Sequence, residues 1–122
     1  MPARFRRGLA AELMRAEQLF KEGKLKAVEV VVEGGWVDFI LVTDEIVEVK
    51  YWRQSYAEAH IRNILKRVQT YQATGRLVIL EFVQTKTDPI TEKFIRDLLS
   101  AAQEKEIPLT REQIRIITLE GP

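Results

Sequence analysis

Gly35-Trp36-Val37-Asp38-Phe39-Ile40-Leu41-Val42-Thr43-Asp44-Glu45-Ile46-Val47-Glu48-Val49-Lys50 reads as two apolar strands joined by a short polar turn. Asp38 interrupts the first run, and a Glu-x-Lys, Glu48 and Lys50, interrupts the second. Charges within such strands cost free energy unless they are paired or bind an ion. Side chains alternate along a strand, so Glu48 and Lys50 share a face. Directly opposed residues of an antiparallel pair also share a face. A two-residue turn would set Asp38 against Val49, on the wrong side. A three-residue loop over 43–45, a common hairpin length, sets Asp38 against Lys50 and Ile40 against Glu48. That register brings two acids and a lysine together, unless a bulge alters it.

Carboxylate oxygens are the ligands Mg²⁺ prefers, and that ion binds through one or two carboxylates plus water and phosphate. Lys50 beside them could orient a nucleophilic water or stabilise developing negative charge. The chemistry this set suits is phosphodiester hydrolysis. The bland alternative is a solvated Glu-x-Lys ladder on an exposed strand. Against it, the acids stand among Val, Ile and Phe, and a third charged residue able to share the face of Glu48 and Lys50, the carboxylate Asp38, lies in the preceding strand.

Working outward, residues 8–22 read as a helix closed by Gly23, with Leu9, Leu13, Ala16 and Phe20 as its apolar face. Residues 26–33 read as a strand with Val28, Val30 and Val32 on one face, followed by a Gly34-Gly35 turn. Ser55-Tyr56-Ala57-Glu58 has capping-box spacing, so a helix is expected from there to Gly75, with Ile61, Ile64, Val68 and Tyr71 inward. Residues 77–84 form a buried strand. Asp88-Pro89 marks the next helix start, with Ile90, Phe94, Leu98 and Ala101 facing the core. Residues 113–119 form the last strand. The order α-β-β-β-α-β-α-β implies an α/β fold, a mixed sheet with helices on both faces.

The chain of 122 residues is the size of one domain, 1–122, without repeat or linker. It has no cysteine, which excludes disulfides and thiolate metal sites, and its single His60 excludes a multi-histidine zinc site within the chain. No apolar run is long enough to span a bilayer, and no apolar segment follows the basic N-terminus, so a cytoplasmic protein is expected. One asparagine (Asn63) amid abundant Glu, Lys and Arg leans towards a thermophile. The net charge of +1 hides a division: residues 27–49 carry six acids and no base, while 50–76 carry six bases and one acid. Such a division suits a metal site beside a polyanion.

Val37-Asp38 and Glu48-Val49-Lys50, within an αβββαβ order, resemble the PD-(D/E)XK nuclease superfamily. The resemblance covers most of the chain, from about Gly8 to about Val83. It implies a restriction-endonuclease-like core carrying an extra C-terminal helix and strand. It further implies an endonuclease that hydrolyses DNA with Mg²⁺ or Mn²⁺. Asp38 and Glu48 would then hold the metal, the Val49 carbonyl would be an extra ligand and Lys50 would assist catalysis. Members often carry a glutamate on the first helix, and Arg7-Gly8-Leu9-Ala10-Ala11-Glu12 looks like that position, as in archaeal Holliday-junction resolvases. Val37 departs from the proline that names the motif, which leaves the subfamily open. Glu48-Val49-Lys50-Tyr51-Trp52-Arg53-Gln54-Ser55-Tyr56, with Ile61-Arg62 and Tyr71, is similar to nuclease domains of polymorphic bacterial toxins.

Arg53, Arg62 and Lys66 are the expected phosphate contacts, whereas Arg67 reads as a solvated flank residue. His60 reads as a helix-flank residue, and Tyr71, Trp36 and Trp52 as packing. RNA is not excluded as a substrate. Cutting both strands of a duplex would need two sites, which a homodimer supplies. The alternatives are a non-catalytic nucleic-acid-binding module and a toxin-type domain held by an acidic inhibitor protein.

Overall fold

The motif hairpin is set by one residue that tolerates a left-handed backbone. Asp44 has φ 69°, a conformation Asp and Asn adopt more readily than most residues with a side chain. Its N–H donates to the Leu41 carbonyl at 2.8 Å, and the Leu41 N–H donates to the Glu45 carbonyl at 2.9 Å. Residues 42–44 are therefore the loop, a turn closed by a left-handed residue. Lys26 Nζ holds the Asp44 carboxylate at 2.8 Å. The loop has the expected three residues but begins one earlier than 43–45. Phe39 pairs with Val47 and Ile40 with Ile46, so the next step sets Asp38 beside Glu48, not Lys50. The difference is two residues, an even number, and the faces are kept. Its cause is that Asp44, rather than Glu45, takes the left-handed position, which frees Ile46 to start the strand fully buried.

The computed structural model describes residues 3–32, 35–53 and 60–119, and their side chains except those of 3–9, 29–32 and 35–37. The expected capping box at Ser55–Glu58 lies outside these residues, as do the Gly34 turn position and the side chains of Leu9, Val30, Val32, Trp36 and Val37. The elements are α1 (Ala3–Lys21), β1 (Leu25–Val32), β2 (Gly35–Leu41), β3 (Ile46–Tyr51), α2 (Ile61–Gln72), β4 (Val78–Thr85), α3 (Glu92–Glu104) and β5 (Ile114–Leu119). They form an α/β protein with a five-stranded mixed open sheet in the order β1-β2-β3-β4-β5. β1, β2 and β3 are antiparallel; β4 and β5 continue parallel to β3.

Each parallel step needs a crossover. Right-handed crossovers made in one direction along a sheet place their helices on the same face. Ile64, Leu65, Val68 and Tyr71 of α2 and Phe94, Ile95, Leu98 and Ala102 of α3 accordingly share one core with Ile40, Ile46, Val78, Leu80, Phe82 and Ile114. Trp52 joins it, its ring 4.7 Å from that of Phe94. The other face carries a smaller core of Phe39, Leu41, Val47 and Ile79, covered by Leu19 of α1.

Two helices depart from the pattern in the sequence. α3 begins at Glu92, not at Asp88-Pro89, because the Thr91 hydroxyl caps it by accepting from the Phe94 N–H at 3.1 Å. Asp88 belongs instead to a turn, its N–H donating to the Thr85 carbonyl at 3.3 Å. α1 is rotated. Leu13 and Phe20 are 61% and 73% exposed, while Ala11 and Leu19 are buried. Val28 of β1 is also exposed. The row facing the sheet is Ala11, Arg15 and Leu19, four residues apart. Glu81 is fully buried in that face and needs a counter-charge. Arg15 supplies it, with Nε 2.8 Å from Oε1 and Nη2 2.9 Å from Oε2.

Leu19→Ala should therefore cost about 2–5 kcal/mol of stability, and Leu13→Ala less than about 0.5 kcal/mol, measured by urea denaturation. Equal losses at the two positions would return α1 to the face read from the sequence.

Candidate functional site

Asp38 stands where β2 and β3 stop pairing. Among the described residues, their ladder holds Phe39 with Val47 and Ile40 with Ile46. Beyond it the Val49 N–H donates to Asp38 Oδ2 at 2.7 Å. A side-chain carboxylate thus replaces a backbone carbonyl as the ladder's acceptor, and the strands part. Glu48 and Lys50 lie on the α2 face of β3, in line with Leu80 and Phe82 of β4. Glu48 is 2% exposed. Its Oε2 is 3.7 Å from Lys50 Nζ and 3.5 Å from Arg67 Nη1. Its Oε1 is buried and has no hydrogen-bond partner.

Magnitudes decide the charge state. At an effective dielectric of about 20, a unit charge some 3.5 Å away contributes roughly 4–5 kcal/mol. Desolvating a carboxylate costs several kcal/mol. Two full cations would win, but Lys50 and Arg67 keep 30% and 49% of their side chains in water, which screens them. Burial therefore prevails. Burial first, and the Asp38 charge second, push the Glu48 carboxyl up to about 7, against the opposing pull of Lys50 and Arg67. Burial also raises Asp38, opposed chiefly by the Val49 N–H and then by Lys50 and Arg67. A hydrogen bond from the Glu12 carboxyl opposes it too, so α1 brings a second acid against Asp38.

The expected residues divide into two groups. Asp38, Glu48 and Lys50 converge, and Glu12 meets Asp38. Val49 contributes the N–H that holds Asp38. Arg62 and Lys66 are exposed on α2, away from its buried stripe. The Arg53 guanidinium lies over the Tyr51 ring at 5.8 Å. His60 precedes α2 at its N-cap and is exposed. Arg67 reaches Glu48, although its sequence position reads as a solvated flank. The signal for it lies one turn on: Tyr71 is buried and close to both Arg67 and Glu48, and burial and the Glu48 charge raise its phenol. A basic residue four positions before an inward tyrosine can lie along the same helix face.

The donor set fits a hard divalent cation. Carboxylate oxygens from Asp38 and Glu48 are Mg²⁺ and Mn²⁺ ligands, and Glu48 Oε1 is an oxygen that its surroundings leave unpaired. Among the described residues no three acidic or histidine side chains are grouped closely enough to hold an ion alone. Mg²⁺ does not require three, since it keeps waters and takes substrate phosphate oxygens.

No family model, no curated protein and no solved structure matches this chain.

The raised Glu48 carboxyl predicts a pH dependence in EDTA. Between its ordinary value of 4.5 and about 7, the folded state binds more protons than the unfolded one, so stability falls as pH rises through that window. The Glu48 contribution is on the order of 3 kcal/mol. Urea denaturation at pH 5.5 and 7.5 should show the wild type losing more stability than Glu48→Gln. Parallel losses in both would mean that Glu48 ionises freely.

Proposed function

We propose that this chain is a metal-dependent nuclease that hydrolyses DNA phosphodiester bonds, with RNA as the other substrate its chemistry admits. The observation that carries the reading is the buried, unpaired Glu48 Oε1 beside Asp38 and Lys50, where β2 and β3 part. The element order and the antiparallel β1-β2-β3 run followed by parallel β4 support a restriction-endonuclease-like αβββαβ core, with α3 and β5 as the added helix and strand.

Asp38 and Glu48 would hold Mg²⁺ or Mn²⁺, with the Val49 carbonyl and Glu12 as further oxygens. When bound, the cation supplies Lewis acidity at the phosphate and lowers the pKa of water. The chain's own residues do the rest. The Val49 N–H fixes the Asp38 carboxylate. Burial keeps Glu48 from dissipating its charge in solvent. Lys50, 30% exposed, is open enough to meet an attacking water or a phosphate oxygen and stabilise charge there. Arg67 reaches the same Glu48 oxygen as Lys50. Arg53, Arg62 and Lys66 would hold the phosphate backbone without reading sequence. Two such chains together would cut both strands of a duplex.

One observation favours a second reading. Lys50 and Arg67 both lie within ion-pair distance of Glu48, so the carboxylate could serve a non-catalytic nucleic-acid-binding module as a structural charge. A toxin-type domain neutralised by an acidic partner protein would instead retain cleavage.

Incubation with supercoiled plasmid, branched DNA, single-stranded DNA and RNA, in Mg²⁺, Mn²⁺ or EDTA, separates these readings. Cleavage should require metal, and Lys50→Ala should lower it at least about 100-fold while the fold survives. Asp38→Asn should raise the melting temperature in EDTA, and Mg²⁺ should stabilise the wild type more than this variant. Undiminished turnover by Lys50→Ala, or identical melting of both proteins with and without Mg²⁺, would overturn the assignment.

A further inference from the structure

Glu81 is fully buried on the sheet face opposite Glu48, and nothing in the proposed chemistry uses it. Arg15 grips both its carboxylate oxygens, at 2.8 and 2.9 Å, and is itself 11% exposed. Arg15 also donates to Gln18 on its own helix. The pair joins two parts of the site. On α1, Glu12 lies three residues before Arg15, about one turn away. In the sheet, Glu81 is paired in register with Val49, whose N–H holds Asp38. A closed circuit results: Glu81 to Arg15, along α1 to Glu12, from Glu12 to Asp38, from Asp38 to Val49, and across the ladder back to Glu81.

The apolar anchoring of α1 is too slight to define this placement alone. Ala11 and Leu19 are its fully buried apolar residues among those described, while Leu13 and Phe20 face water. Ala16 adds a partly buried contact beside Leu19, and a single short apolar row of this kind tolerates rotation and sliding. A bidentate guanidinium–carboxylate fork fixes both distance and plane. We infer that the Arg15–Glu81 pair is a positioning device that sets the rotation of α1 on the sheet and so holds Glu12 against Asp38. The inference deepens the nuclease reading, and rests on it for the catalytic consequence alone.

Removing one partner would strand a buried charge and threaten the fold. The first test therefore replaces both, as Arg15→Met with Glu81→Leu, and the second is Arg15→Lys, which keeps the charge and loses the fork. Each is combined with Glu12→Gln and melted in EDTA. In the wild-type background Glu12→Gln removes one of two contacting carboxyls and should raise the melting temperature by about 3 °C. In the double-replacement background that shift should vanish, and in Arg15→Lys it should shrink by about half. With Mg²⁺ and a cleavable DNA, the double replacement should lower kcat about tenfold with KM unchanged, and Arg15→Lys should restore part of the loss.

Equal Glu12→Gln shifts in all backgrounds would overturn the positioning role. If the double replacement fails to fold, the Arg15→Lys melts carry the same decision. A wild type that cleaves nothing while the melting cycle behaves as expected would refute the nuclease reading and leave the positioning role standing. Cleavage that responds to Lys50→Ala but not to the loss of the pair would do the reverse.

Discussion

The arrangement turns on one hydrogen bond, from the Val49 N–H to the Asp38 carboxylate at 2.7 Å. A strand pair that continued its ladder would satisfy that N–H with a backbone carbonyl, and β2 would lie flush against β3. Asp38 takes the carbonyl's place. Its cost is a carboxylate drawn out of water, which raises its pKa, and its effect is to end the pairing beside Glu48. Exchanging the carboxylate for an apolar side chain would leave a donor without a partner, at a cost of about 1–3 kcal/mol.

Glu48 shows how finely the balance is struck. Two partly hydrated cations oppose its burial without overcoming it, and its carboxyl is raised to about 7. Stronger pairing would make the residue a permanent structural anion, with both oxygens engaged. Weaker pairing would leave it protonated in the core. The intermediate state keeps Oε1 unpaired, and an unpaired buried oxygen is high in free energy until something binds it. Arg67 belongs to this balance as much as Lys50 does, although the two come from different elements and only Lys50 lies within the strand motif.

Much of the fold could be read from the chain because its determinants are local. Alternating apolar residues mark β2 and β3, the dense aliphatics of residues 77–84 mark β4, and the element order follows from the turns. The shared face of Asp38, Glu48 and Lys50 was legible because any loop of odd length preserves it. The register itself was not, since it depended on whether Asp44 or Glu45 takes the left-handed position. The face of α1 was misread for a different reason. Leu9, Leu13, Ala16 and Phe20 make a good helical stripe, and periodicity alone ranks it above a row containing Arg15. What outweighs the stripe is a buried carboxylate at Glu81, more than sixty residues along the chain. Within β4, Glu81 looks like one polar interruption in an aliphatic run, and its partner cannot be read from spacing. Arg67 escaped notice similarly, because its target lies in β3.

The two polar centres divide the labour between the faces of the sheet. On the α2 side, Glu48 is left partly unsatisfied beside two partly hydrated cations, an arrangement able to exchange partners. On the α1 side, Glu81 is fully satisfied by a rigid fork, an arrangement that resists exchange. A buried ion pair contributes little net stability compared with apolar residues of the same volume. Its use in this sheet is geometric, because an apolar contact at the same place would accept several helix rotations and a bidentate pair accepts one. The unsatisfied carboxylate can be kept ready because the satisfied one behind it prevents α1 from shifting, and Val49, standing between them in the sheet, ties both to Asp38.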